Sequence, residues 1–467
     1  MSTVPQWRLR AAFATRLSEM YGREVPAYTT LVDVSREVNE DVLGERGADA
    51  ERLGSIGRVT AERHGAIRVG TPRELSQVAR IFAAVGMHPV GFYDLREAAA
   101  SAVPVVSTAF RPVDGEELAR NPFRVFTSLL TPADPRFFDP DLRSRLETFL
   151  GARELFPKEL LELADRAAGE GELPDVQADR FLELAVAAFE LSQGPVDRAW
   201  YQELERVSAV AADIGGVRST HINHLTPRVL DIDELYRRMT DRGIEMIDTV
   251  QGPPSWKGPD VLLRQTSFKA LAEPRAMRAP DGTVTSGALR VRFGEVEARG
   301  IALTPKGRAL YDDLLGQVDR QAAGQPPRRR GDIARSMWER HMPADEGALA
   351  AQGLAYFTYE AAPGRPHAGH VPSEAAELVR GGWVRARPIV YEDFLPRSAA
   401  GIFQSNLSGE GTRDSAQQGV AYDAAWLSGA IGRDVLDPYA LYEEQQSRSL
   451  ARAARELGLK GTIAATG

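Results

Sequence analysis

Cysteine is absent from all 467 residues. That excludes disulfides, thiolate metal sites and cysteine nucleophiles, so any transition metal must be held by His, Asp and Glu. No apolar run approaches the roughly 20 residues needed to span a bilayer, and the opening MSTVPQWRLR has no signal-peptide core. These absences lead us to expect a cytoplasmic protein. A basic excess is also missing: 57 Lys and Arg stand against 65 Asp and Glu, a net charge of −8 spread along the chain. A nucleic-acid binder needs a strong basic patch, so neither nucleic acid nor membrane is an expected partner. The chain has no P-loop, no GxSxG elbow and no Gly-rich dinucleotide fingerprint after a strand. Kinases, serine hydrolases and Rossmann dehydrogenases therefore find no machinery here. What remains is an ordinary globular composition, 43% hydrophobic and 26% charged.

The texture of the chain alternates. Residues 1–60 are polar and helix-like, with Leu17, Met20 and Tyr21 at helical spacing. Short apolar runs broken by Gly and Pro follow over 61–134, giving a first β-α-β module. A helical insertion is expected over 135–215, a second β-α-β module over 216–304 and helices over 305–350. Within that last stretch QPPRRRGD (325–332) reads as an exposed loop. Residues 351–467 mix short strands with Gly/Pro/Ser loops, end in a helix near 438–457 and are expected to complete the pocket.

The two strand-rich segments resemble each other. His64 and Arg68-Val69 in HGAIRV match His224 and Arg228-Val229 in HLTPRV, sharing the pattern His-x-x-x-Arg-Val. Glu74-Leu75 and Glu234-Leu235 then open a helix at the same offset, and each helix runs to a Gly, Gly86 or Gly243. Strand-like MHPVGFYDL and IEMIDTV follow. Matching offsets of this kind point to a duplicated β-α-β unit with a His on the first strand of each copy.

Strand side chains alternate between faces, so His64 shares a face with Arg68, and His224 with Arg228. In a regular strand His221 points away from the face of His224. Glu295 and Glu297 share a face in RFGEVEARG. A carboxylate with so much apolar company is costly to bury unless it is paired or metal-bound. Two histidines and one such carboxylate on adjacent strands would make a facial triad, which leaves metal positions open and suits iron(II), although zinc uses similar ligands. The bland alternative makes the histidines hydrogen-bonded structural residues and pairs the two carboxylates with Arg292 or Arg299. His88, His341, His367 and His370 have no repeat relation and read as structural; His367-x-x-His370 lies in a Gly/Pro loop.

ERHGAIRVGTP (62–72), INHLTPRVLDID (222–233), RFGEVEARGIALT (292–304) and FLPRSAAGIFQSNL (394–407) resemble the bacterial 2-oxoadipate dioxygenase/decarboxylase family, as do GFYDLR (91–96) and NPFRVFTSLL (121–130). The resemblance covers most of the chain. It implies an α+β fold similar to the vicinal oxygen chelate superfold: a duplicated, metal-centred curved sheet with helical insertions. FGEVEAR also looks like the final strand of 4-hydroxyphenylpyruvate dioxygenase, a correspondence that favours Glu295 over Glu297 as ligand. The implied cofactor is Fe(II), held by His64, His224 and Glu295. The implied reaction, a step of lysine breakdown, turns 2-oxoadipate and O2 into 2-hydroxyglutarate and CO2. The distal carboxylate of such a six-carbon diacid needs a cation. Arg68, roughly 13 Å along the strand from His64, offers a bidentate fork, with Ser398 and Gln404 as further pocket residues. Arg397 departs from the small apolar residue that the family usually carries before the Ser, which bears on substrate identity. Two other functions are open to these residues: a non-redox divalent-metal lyase, isomerase or hydrolase of the same superfold, and a metal-free small-acid binding protein.

Overall fold

The computed structural model describes residues 2–464 except 98–101, 291, 367–370, 397, 399–401, 403–404, 407–412, 415, 460 and 462. The chain is mixed α/β. It opens with a short strand, β1 (Thr3–Pro5), and helices α1 (Gln6–Glu24), α2 (Pro26–Arg46) and α3 (Ile56–Ala61). Leu9, Phe13, Leu17 and Tyr21, four residues apart, form the buried stripe of α1. Next come β2 (Arg63–Val69), α4 (Pro72–Ala84), β3 (His88–Asp94), β4 (Val105–Arg111), α5 (Gly115–Arg120) and β5 (Arg124–Leu130). α4 starts where it does because Thr71 and Glu74 form a reciprocal capping box with Pro72 in the first turn.

The segment 135–215 contributes α6 (Pro140–Gly151), α7 (Lys158–Glu170), β6 (Glu172–Pro174), α8 (Asp175–Ala187), β7 (Val196–Asp197), α9 (Arg198–Val207) and α10 (Ala209–Gly215). Arg153 ties it to the first module through two bonds to Glu74, of 2.6 and 2.8 Å. The chain then forms β8 (Ile222–Pro227), α11 (Ile232–Asp241), β9 (Leu263–Ser267), the hairpin β10 (Glu273–Arg278) and β11 (Val284–Leu289), and β12 (Glu295–Arg299).

Five strands pair in the order β3-β4-β5-β2-β8. β12 and β9 extend the array: a parallel bridge joins Arg228 to Glu297, and Val229 donates to the Glu297 carbonyl at 2.8 Å. Residues 245–251 follow β9 through bridges from Met246 to Phe268 and from Gln251 to Gln265. The second half thus repeats the pairing of the first, strand for strand, outward from the antiparallel β2–β8 contact. IEMIDTV differs from expectation, being bridged without a continuous ladder. Five residue steps from Met246 to Gln251 face only three from Gln265 to Phe268, and that mismatch breaks the register.

β2, β4 and β5 are buried on both faces apart from Arg63, so they read as apolar runs rather than alternating strands. Gly65 lets β8 approach: a Cβ there would lie 2.7 Å from Ile222 Cδ1. A second core around Trp338, Tyr311 and Leu314 joins α12 (Pro305–Gln321) and α13 (Pro327–His341) to the C-terminal region. In the expected loop at 325–332, residues 325–326 and 328–332 are exposed, but the chain becomes helical at Pro327, whose fixed φ suits a first turn. α14 (Glu346–Ala351), β13 (Phe357–Ala361), α15 (Ala375–Arg380), β14 (Val384–Pro388), α16 (Ala424–Ile431) and α17 (Pro438–Glu456) complete the described chain. No described helix is long and apolar enough to cross a membrane.

Candidate metal centre

β2 and β8 carry the two histidines of the repeated pattern. His64 opposes Thr226 and His224 opposes Ala66, so the two rings sit diagonally on one face of the ladder. The register shifts there: Ala66 faces His224 while Ile67 faces Ile222, leaving Asn223 as the extra residue of a bulge. β12, held beside β8, brings Glu295 to the same place. Gly294 precedes it because a Cβ would lie 2.1 Å from the Phe268 ring.

The three side chains converge. His224 Nε2 lies 3.1 Å from Glu295 Oε2, and His64 Nε2 lies 3.9 Å from the same oxygen. One ligand atom from each of the three falls within 4.8 Å of the others, and all three residues are buried. The walls are aromatic. Phe394 meets the His64 ring at 5.0 Å, Phe293 meets His224 at 5.1 Å, and Phe126 packs on Phe394 at 5.1 Å. By the shared register, Phe126 on β5 occupies the place that Glu295 occupies on β12.

Glu295 and Glu297 share a face, as the alternation requires, but their surroundings differ. Arg299 grips Glu297 with two bonds of 2.7 and 2.9 Å, and His64 Nδ1 lies 2.9 Å from Oε2, the oxygen that Arg299 Nη2 also reaches. Burial alone would raise the Glu297 pKa; Arg299 and His64 outweigh it and hold the group at about 2. Glu295 has no Lys or Arg ion pair among the described residues. Gln265 donates to its Oε1, and burial pushes its pKa up against the partial opposition of His64. Burial, helped by the charges of His64 and Arg68, drives the His224 pKa well down, so that imidazole is neutral. Burial also opposes protonation of His64, but Glu297 and Glu295 outweigh it and its pKa rises.

A divalent cation fits this donor set. A buried carboxylate lacking a cation is costly, and the Nε2 atoms of both imidazoles lie toward it. Glu297 against His64 Nδ1 is the arrangement that orients a metal-binding imidazole.

Arg68 is buried, and its Nη1 donates to Asp213. Asp213 also accepts from Asn223 Nδ2 at 2.9 Å and lies 3.3 Å from His221 Nε2. The expectation that His221 points away from His224 assumed a regular strand. The bulge at Asn223 cancels one residue of alternation, and the Arg68 charge acts on both imidazoles. Ser398 is buried; Arg397, Gln404, His367 and His370 lie outside the described residues. His88 and His341 are exposed and take no part in the cluster.

Sequence reasoning missed Asp213 and Gln265. A lone acid in the otherwise apolar AVAADIG of α10 was a readable signal. Nothing local distinguished Gln265 from an exposed strand residue.

A buried site of two histidines and one carboxylate, at the centre of a mixed α/β sheet array, is the frame of a metal-dependent enzyme. The model of the 2-oxoadipate dioxygenase/decarboxylase family matches residues 13–406. A Mycobacterium tuberculosis protein named 2-oxoadipate dioxygenase/decarboxylase is 58% identical over 93% of this chain and 96% of its own length. A Pseudomonas putida protein of the same name is 42% identical over 97% of both chains. The crystal structure of hydroxyglutarate synthase from Pseudomonas putida in complex with 2-oxoadipate superposes with a TM-score of 0.85, at 41% identity, covering 98% of this chain and all of that one. The chain belongs to the 2-oxoadipate dioxygenase/decarboxylase family.

Proposed function

We propose that this chain converts 2-oxoadipate and O2 to 2-hydroxyglutarate and CO2, with Fe(II) held by His64, His224 and Glu295. Family membership and the Pseudomonas putida relative's complex with 2-oxoadipate support the substrate. The convergence of three buried ligand atoms within 4.8 Å supports the metal. Bound there, iron(II) would supply open positions for the 2-oxo acid and the electrons that activate dioxygen. The strand correspondence about β2 and β8 supports a duplicated, vicinal-oxygen-chelate-like module.

The chain's own residues do the rest. Glu297, anchored by Arg299, orients His64, while Gln265 orients Glu295. Phe126, Phe293 and Phe394 keep bulk water from the reacting atoms. Arg68, on the face of His64, receives the distal carboxylate. A guanidinium carries five N–H donors, enough to serve Asp213 and a substrate carboxylate together. Ser398, buried on the segment that also carries Phe394, is proposed to complete the pocket.

Anaerobic reconstitution with iron(II) or zinc, followed by oxygen uptake and CO2 release on a panel of 2-oxo acids, tests the proposal. The expected result is equal molar O2 consumption and CO2 release, with iron only and best on the six-carbon diacid. Turnover of 2-oxoadipate without oxygen uptake would overturn it in favour of lyase, isomerase or hydrolase chemistry.

A further inference from the structure

A cleft of ≈ 520 Å³ opens between the β7–β10 contact and the loop before α9, lined by Phe149, Trp200, Arg218, Arg275 and Arg278, with Asp197 at its edge. It is separate from the metal centre and contains none of its ligands. Three guanidinium groups face one carboxylate, and that carboxylate is already engaged. Asp197 Oδ1 accepts from the Trp200 backbone N–H at 3.0 Å and caps α9.

Arg275 is the unusual member. It is only 5% exposed, yet its Nε and Nη1 have no hydrogen-bond partner among the described residues. Arg292 next to it is fully engaged by Glu273 and Glu24. Burial, reinforced by the Arg292 charge, lowers the Arg275 pKa, while Glu273, Asp213 and Glu24 act in the other direction. A buried cation with unmet donors costs free energy that an anion would recover. Around it the cleft offers aromatic surface: Trp200 is half-buried, and Arg218 lies 5.6 Å over the Phe149 ring, a stacked and pre-oriented guanidinium.

We propose that this cleft is a second binding site, specific for a small oxyanion, carboxylate or phosphate, seated on Arg275 and flanked by Arg218 and Arg278. A short organic anion would set its charged end on Arg275 and its apolar part against Trp200. Asp213, whose carboxylate holds Arg68, is among the charges acting on Arg275.

The test is calorimetric titration of the full-length, metal-loaded protein with inorganic phosphate and, separately, with glutarate. At least one should bind below about 20 mM, the weak affinity of a small anion in an open cleft. Arg275→Met should weaken it by about tenfold or more, as loss of a buried charge-assisted contact does. Arg218→Met and Arg278→Met, both exposed side chains whose loss the fold tolerates, should each weaken it about threefold. Glu295→Ala should leave it unchanged. Phosphate binding alone identifies a phosphate site, glutarate alone a carboxylate site, and both an unselective oxyanion site. Absence of binding by either, loss of binding in Glu295→Ala, or affinity unchanged in all three arginine variants overturns the proposal. If Arg275→Met does not fold, Arg218→Met and Arg278→Met decide it.

Discussion

Arg68 and Arg228 stand four residues after their histidines on paired strands of matching topology, yet they do different things. Arg228 donates to Glu62 at 2.9 Å inside a buried ion cluster. Arg124 joins Glu62 at 2.6 Å and also Glu392, which Arg58 reaches from the other side, while Arg299 links Glu62 to Glu297 behind His64. Arg68 instead shares Asp213 with Asn223 and His221, close enough to His224 to shift its titration. The repeat preserves the backbone path but not the electrostatics. Arg228 is locked in a mutual salt-bridge cluster that spans both halves of the array and backs His64 through Glu297. Arg68 stands outside that cluster, buried with Asp213 as its partner, and is the arginine proposed to receive the substrate carboxylate.

The sharpest break is at the metal ligands. His64→Ala, His224→Ala or Glu295→Ala should each remove bound metal and reduce turnover by about a thousandfold or more, since a facial triad has no spare ligand. Metal analysis and oxygen uptake measure this, with circular dichroism to show that the fold persists. Normal iron content in Glu295→Ala would move the ligand elsewhere.

The two arginines provide the next contrast. Arg68→Met should lower kcat/KM for 2-oxoadipate by about two to four decades, the equivalent of about 3–5 kcal/mol for one partner of a buried pair. A monocarboxylic 2-oxo acid of similar length should suffer far less, and iron content should stay near normal. Arg228→Met should do the reverse: stability falls by about 3–5 kcal/mol, read by denaturant unfolding, while the diacid-to-monoacid ratio is unchanged. Equal effects of the two substitutions on that ratio would erase the distinction.

Glu297→Gln should be milder. It keeps the side chain's size but removes the charge facing His64 Nδ1, so iron affinity should fall about 10–100-fold, the usual cost of losing an orienting partner. An unchanged affinity would mean that packing alone orients His64.

The smallest expected effect is on acid stability. Glu297 and Glu392 are both held at about 2, below the ordinary value of about 4.3 for Glu. For Glu392 burial opposes the shift, and Arg58 and Arg124 outweigh it. Depressed folded-state pKa values stabilise the protein fully above the ordinary value, and that stability is lost as pH falls through the folded value. The Tm of the metal-free protein should therefore drop between pH about 4.3 and about 2. In Glu392→Gln the drop should be shallower; an identical slope would show that the cluster does not carry it.

Much of this was legible in one dimension. The repeated His-x-x-x-Arg-Val, the Glu-Leu helix openings and the FGEVEAR strand depend on local spacing, and spacing alone sets which side chains share a strand face. The capping box at Thr71 and Glu74 and the apolar runs of β4 and β5 are equally local. The helix beginning at Pro327 was hidden because a polar, arginine-rich stretch carries no apolar period to read.

Local spacing cannot say what lies opposite. Glu295 and Glu297 are indistinguishable along the strand; Arg299 and His64 claim one of them, and only the packing of β12 against β8 turns the other to His224. The bulge at Asn223 likewise exists because β2 and β8 must match across their ladder, and His221 meets Arg68's partner Asp213 only in the folded chain. Asp213, 145 residues from Arg68 along the chain, reaches it only after α10 docks. Sequence alone supplied the residue types, the faces of the regular strands and the family resemblance, but not the face of His221 beyond the bulge. Tertiary structure decided which carboxylate joins the two histidines, which arginine enters the salt-bridge cluster and what holds each, because in a buried site charge partners are chosen by proximity in space, where desolvation makes every unpaired charge costly.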